Sequence, residues 1–268
     1  MTMIAANLKT VRARILDACH EAGRAADTVR LLAVSKTFGA DAVAQAHAAG
    51  QHAFGENYIQ EGVDKIAALM PLKLEWHCIG PIQSNKTRPI AQHFQWVHTI
   101  DREKVASRLS AQRDVFLPPL QVCIEVNVSG EASKSGVIPA LLPALAEQVA
   151  VLPRLRLRGL MAIPEPTNDE ALARRRFAQL RELRDDLNTR GHDLDTLIAT
   201  LTNIKKLRGP LVRYIYDNVY SVEKRAAGEF WYTTPDQGRI DFGPGNLTEP
   251  PPKTDPTTHK PFTVQPEA

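Results

Sequence analysis

Short apolar runs alternate with helix-patterned segments along most of this chain, and that alternation leaves few architectures open. Residues 31–35, 52–54, 74–79, 94–100, 120–128, 155–163 and, more weakly, 194–199 read as buried strands. Between them lie helical patterns at 41–49 before Gly50, 57–69 before Pro71, 102–112, and 139–151 before Pro153. Residues 169–189 carry Phe177, Leu180, Leu183 and Leu187 on one face, with arginines and acids between them. A parallel strand pair needs a crossover, and a helix lying on the sheet supplies it. Seven such units, with a leading helix whose stripe is Ile4, Leu8, Val11 and Ile15, predict an α/β fold of the (β/α)8 TIM-barrel type rather than a doubly wound sheet.

Composition removes several classes of function. A net charge of +3, from 33 basic and 30 acidic residues, is too balanced for a nucleic-acid footprint or a polybasic membrane surface. No apolar stretch reaches the length of a membrane span, and no signal-peptide core opens the chain, so a cytoplasmic protein is expected. Cys19, Cys78 and Cys123 are odd in number and far apart, which argues against a disulfide framework and supplies no CxxC pair. The eight histidines form neither HExxH nor a close His/Asp cluster, so no metal site is expected. His77 and Cys78, on opposite faces of one strand, read as packing residues.

Lys36 closes the first apolar run. In a barrel the C-terminal ends of the strands gather at one mouth, where ligands bind. Partial burial there lowers a lysine's pKa and raises its nucleophilic amine fraction, which suits a Schiff base with a carbonyl cofactor. The plainer reading is a lysine that marks where strand meets solvent. Asn57, residues 80–86, 127–136 and 161–164 would meet Lys36 at the same mouth.

Five ordered blocks carry a resemblance. They are Leu32-Ala33-Val34-Ser35-Lys36, Phe54-Gly55-Glu56-Asn57-Tyr58-Ile59-Gln60-Glu61, and Trp76-His77-Cys78-Ile79-Gly80-Pro81-Ile82-Gln83-Ser84-Asn85-Lys86. Asn127-Val128-Ser129 with Glu131, Lys134 and Gly136 comes next, then Arg158-Gly159-Leu160-Met161-Ala162-Ile163-Pro164. Together they resemble the pyridoxal 5'-phosphate (PLP) homeostasis protein family, also called the YggS type, which shares its barrel with the N-terminal domain of alanine racemase. The resemblance implies PLP as cofactor, held as an aldimine on Lys36. It implies further that Asn57 contacts the cofactor's edge, that Met161 forms part of the wall beside the ring, and that Lys134 is a second amine near the mouth. Each has a structural rival: a helix cap for Asn57, core filling for Met161, loop solubility for Lys134.

After about Thr196 the resemblance ends. The family's Ser-Met-Gly-Met-Ser stretch and its later Arg-Ile-Gly-Thr strand end cradle the phosphate at a helix N-terminus. Neither has a counterpart in Leu197-Ile198-Ala199-Thr200-Leu201-Thr202-Asn203 or in the residues beyond Asn203. The expected organisation is a barrel domain over 1–200, an atypical segment over 201–234 and a Pro/Thr-rich, disordered tail over 235–268. Residues 211–216 and 218–222 are the candidates to close the barrel. An unusual natural end, a joined foreign segment and a shifted reading frame all account for the break.

The function implied is intracellular vitamin B6 homeostasis by a non-catalytic PLP carrier, a monomer or weak dimer whose recipients are PLP-dependent apo-enzymes. The alternatives are a small PLP-dependent racemase or lyase, and a family member that has lost cofactor binding together with its phosphate site.

Overall fold

The computed structural model describes residues 2–23, 25–131, 134–165, 167, 169–199, 231–234 and 238–241. Seven strands form one sheet whose spatial order is the chain order. They are β1 (Ala33–Val34), β2 (Ala53–Glu56), β3 (Glu75–Cys78), β4 (Trp96–Ile100), β5 (Leu120–Glu125), β6 (Leu155–Ala162) and β7 (Thr196–Ala199). Every neighbouring pair is parallel. Helix α1 (Met3–Glu21) precedes the sheet, and α2 (Ala40–Ala48), α3 (Ile59–Ala68), α4 (Thr87–His93), α5 (Glu103–Gln112), α6 (Leu142–Ala150) and α7 (Glu170–Thr189) make the crossovers. An unbroken sequential order is the barrel arrangement, because a doubly wound sheet reverses its strand order near the middle. The segments expected to close the barrel, 211–216 and 218–222, lie outside the described residues.

The sheet separates two cores. Phe54, Trp76, Cys78, Val97, Leu120, Val122, Ile124 and Leu160 point outward and pack against the helices. Helix α7 answers with Leu180 and Leu187, and α5 with Val105 and Leu109, as their sequence periods require. Each such side chain, fully withdrawn from water, contributes about 1.5–3 kcal/mol. Helix α1 is stapled over the sheet by Arg12, whose guanidinium donates to the carbonyls of Ala49 and Gly50 at 2.8 and 2.7 Å. The alternate residues, on the interior face, include the buried polar groups His77, His98 and Glu125.

Three local details differ from the sequence reading. Helix α4 is unexpected, because seven residues that include Pro89 give a weak pattern, although a proline in the first turn removes no helical hydrogen bond. The run 120–128 stops as a strand at Glu125: the Val126 N–H still donates to the Met161 carbonyl at 2.8 Å, but the Asn127 N–H turns to the Val137 carbonyl at 2.9 Å. Beyond the barrel, β8 (Trp231–Thr234) and β9 (Gly238–Asp241) form an antiparallel hairpin, so part of the stretch read as a tail lies in a strand.

One glycine is essential to the closeness of β6 and β7. A Cβ at Gly159 would sit 1.7 Å from the Thr196 carbonyl oxygen, so no side chain fits between these strands.

Candidate cofactor-binding site

Lys36 stands two residues beyond β1, in a turn at the C-terminal rim. The Ser35 N–H still donates to the Gly55 carbonyl at 2.9 Å, after which Thr37 takes a left-handed φ of 68° and the chain turns toward α2. The Ser35 hydroxyl faces outward, donating to Glu56 Oε1 at 2.6 Å. Side chains alternate across a strand end, so Lys36 lies on the opposite, interior side. Its amine is half-buried. Burial lowers its pKa below the usual lysine value, and the nearby Glu56 carboxylate opposes that shift without cancelling it.

Beneath this turn sits a buried ionic group that sequence reading missed. Lys65 of α3 directs its three protons at the Ser35 carbonyl at 2.6 Å, Glu56 Oε1 at 2.8 Å and Glu61 Oε1 at 2.6 Å. An ammonium has three donors, and all three are used. Glu61 Oε1 also accepts the Thr37 N–H at 2.6 Å. The Glu56 side chain is fully buried, and its Oε2 has no hydrogen-bond partner. Burial raises the Glu56 pKa even though Lys65 and Ser35 bond its other oxygen.

Asn57 follows β2 by one residue, level with Lys36 when the β1–β2 register is extended. It does not cap α3, whose N-cap is Tyr58 without a side-chain hydrogen bond. Its carbonyl is held against Gly80, where an added Cβ would come within 2.4 Å, and Thr99 Oγ1 donates to the Gly80 carbonyl at 2.7 Å. Met161 is buried inside the barrel with Trp96 and Cys123, flanked by Ile163 and Ile198. It faces the interior rather than the helices.

Lys134 lies on the loop after β5. That loop is shaped by Asn127, whose Nδ2 donates to the Glu131 carbonyl at 2.8 Å while its Oδ1 accepts the Gly130 N–H at 2.9 Å. The Lys134 amine pairs with Glu131 at 3.8 Å. Glu125, paired with Met161 in the β5–β6 register, points inward from the end of β5. Burial, aided by the Asp101 charge and opposed by Lys134, pushes its pKa up to about 7. No pattern in the chain marks this carboxyl, because it occupies a strand position among apolar residues.

Deeper in the barrel runs a polar column. Arg30 pairs with Glu75 at 3.0 Å, Glu75 with His77 Nε2 at 2.9 Å, and His77 Nδ1 with His98 Nε2 at 2.8 Å. Burial lowers the pKa of both histidines, so both are neutral at neutral pH. A neutral His77 that donates through Nε2–H to Glu75 has Nδ1 left to accept, which assigns the proton between the rings to His98 Nε2. Trp96 stacks on His77 with an interplanar angle of 10°, and Arg158 lies over its ring at 5.2 Å. His77 therefore belongs to a hydrogen-bonded chain and is not simple packing, whereas Cys78 does lie in the helix-facing core.

The structure thus brings together a half-buried amine at the rim, Asn57 level with it, and Met161 on the interior face beside Trp96 and Ile198. The fold and this rim lysine define a class: parallel barrels with an amine at the end of their first strand. The alanine racemase N-terminal domain model matches residues 4–203. The chain belongs to this family, in the branch of the pyridoxal phosphate homeostasis proteins. The relative so named from Pseudomonas aeruginosa is 64% identical over 197 residues, covering 74% of this chain and 84% of its own length. Its Escherichia coli counterpart is 52% identical over 203 residues, covering 74% of this chain and 86% of its own. PipY of Synechococcus elongatus, solved with PLP bound, is 34% identical with a TM-score of 0.61, covering 72% of this chain and 87% of that one. Alanine racemase of Corynebacterium glutamicum shares the fold at 14% identity and a TM-score of 0.57, covering 80% of this chain and 60% of that one.

Proposed function

We propose that this protein binds PLP covalently through Lys36 and serves vitamin B6 homeostasis in the cytoplasm as a carrier without turnover. The observation that carries the reading is the half-buried Lys36 amine, its pKa lowered by burial, at the rim of a barrel whose relatives bear this name. When bound, the cofactor supplies an aldehyde carbon that accepts the amine. Lys36 would hold that carbon, Met161 would line the ring and Asn57 its edge, with Lys134 as a second amine near the exit. The barrel domain is assigned to 1–200, with 201–234 and 235–268 as segments of different kind. Recipients are PLP-dependent apo-enzymes, and the protein acts as a monomer or weak dimer. Among the described residues no helix is long and apolar enough to cross a membrane.

Addition of PLP followed by borohydride reduction and peptide mapping tests the attachment. Label confined to Lys36 is expected, and label spread over surface lysines would refute it. Lys36→Ala should abolish the absorption band of the bound cofactor while leaving the circular-dichroism signal of the fold. Kinship with alanine racemases favours a second reading, a small racemase or lyase, over which the carrier is preferred because the relatives are named for homeostasis. Chiral analysis after incubation with single L-amino acids separates them: conversion above that of free PLP would establish an enzyme.

A further inference from the structure

The turn that carries Lys36 is gripped on both sides by groups that do not face the barrel mouth. On the N-terminal side, the Ser35 carbonyl accepts from Lys65 at 2.6 Å and the Ser35 hydroxyl donates to Glu56 at 2.6 Å. On the C-terminal side, the Thr37 N–H donates to Glu61 at 2.6 Å. The three gripping side chains are themselves joined, since Lys65 bonds both carboxylates.

Burying such a group is costly. The Lys65 side chain is 6% exposed and that of Glu56 is fully buried. Apolar residues of similar volume commonly serve stability as well as, or better than, a buried ion pair. Stability alone therefore gives little reason for this arrangement, whereas control of a turn does. Thr37, a β-branched residue, also occupies the left-handed region, which is unfavourable without an external hold.

We infer that Lys65, Glu56 and Glu61 form a clamp that sets the posture of Lys36, making all three positioning residues for covalent attachment at that amine. The clamp holds the peptide on each side of Lys36, so the side chain enters the mouth half-shielded from water. The same clamp places the Glu56 carboxylate where its charge acts on the amine. Without the grip the turn relaxes, the amine hydrates, and its proton affinity rises toward that of a surface lysine. The importance of the clamp rests on the reading of Lys36 as the attachment residue. Its test does not.

The test uses the full chain without PLP and a small probe, formaldehyde with cyanoborohydride. Methylation of each lysine is followed by peptide mass spectrometry from pH 6 to 10, with the exposed Lys9 and Lys104 as internal references. Two variants are compared with the parent. Glu61→Ala removes the hold on Thr37 at a partly exposed position. Ser35→Ala removes the hydroxyl's bond to Glu56 while keeping the Glu56 charge that raises the Lys36 pKa, so a change reports the grip and not a lost charge. Thermal unfolding monitors the fold of both variants. In both, the Lys36 profile should move toward that of Lys104. Its relative rate near pH 7 should fall by about tenfold for each unit by which its pKa rises. Lys9 and Lys104 should not change. A parental Lys36 profile in folded Glu61→Ala, or in folded Ser35→Ala, would overturn the clamp. PLP fixed on a different lysine of the parent would instead overturn the attachment and leave the clamp standing.

Discussion

Replacing Glu125 by glutamine should stabilise the protein, by a margin that grows from about pH 4.5 and is complete above pH 7. The carboxyl is 5% exposed and points into the barrel from the end of β5. Its pKa rises from the ordinary 4.5 to about 7, chiefly through burial, with Asp101 adding and Lys134 subtracting. A raised carboxyl pKa means that the folded state binds the proton more tightly than the unfolded chain. The contribution is intact below about pH 4.5 and is lost as pH rises through 7, because over that interval the folded state carries the extra proton. At about 1.4 kcal/mol per tenfold change in proton affinity, the full loss is about 3 kcal/mol. Glutamine keeps the shape and stays neutral. Urea unfolding of parent and Glu125→Gln at half-unit intervals from pH 4.5 to 8.5 measures the difference directly, and background titrations common to both cancel. The curves should coincide at the acid end and separate by up to about 3 kcal/mol above pH 7. Parallel curves, or a gap that closes with rising pH, would show that the Glu125 carboxyl is solvated as a surface acid is.

Two further variants test the barrel itself. Gly159→Ala must force β6 from β7, since its Cβ would collide with the Thr196 carbonyl; a loss of more than about 3 kcal/mol is expected in denaturant unfolding, and a loss under about 1 kcal/mol would contradict the close approach. Glu75→Gln should cost about 1–2 kcal/mol near pH 6, a figure reduced for its partial exposure. The His77 hydrogen bond chiefly holds the Glu75 pKa down to about 2, so this contribution exists above about pH 4.5 and disappears as acid titrates the group through 2. A penalty that is constant from pH 2 to 7 would remove the ionised Glu75 from the polar column.

The strand–helix rhythm was legible because outward-facing residues such as Phe54, Val97 and Ile124 and the stripe of α7 obey simple periods. The rim position of Lys36 follows from the rhythm alone. Lys65 was not legible: a lysine in an amphipathic helix reads as solvent-facing, and only the tertiary meeting of α3 with the β1 turn buries it. Glu75, His77 and His98 were hidden for a related reason. Strands buried on both faces lose the alternation that tells interior from exterior, so polar residues within them carry no directional signal. Asn57 just after β2 and Met161 near the end of β6 follow from the strand pattern, whereas the posture of Lys134 depends on a loop that Asn127 organises through bonds to backbone atoms.

All members of the clamp lie between Ser35 and Lys65, close together in sequence, so the loops they close are short and form at little entropic cost. The aim of the reactive nitrogen is thereby decided locally, by one β-turn-α unit and its neighbour. The far end of the chain, beyond the family match that ends at residue 203, contributes no member to the clamp that sets the point at which a ligand would be caught.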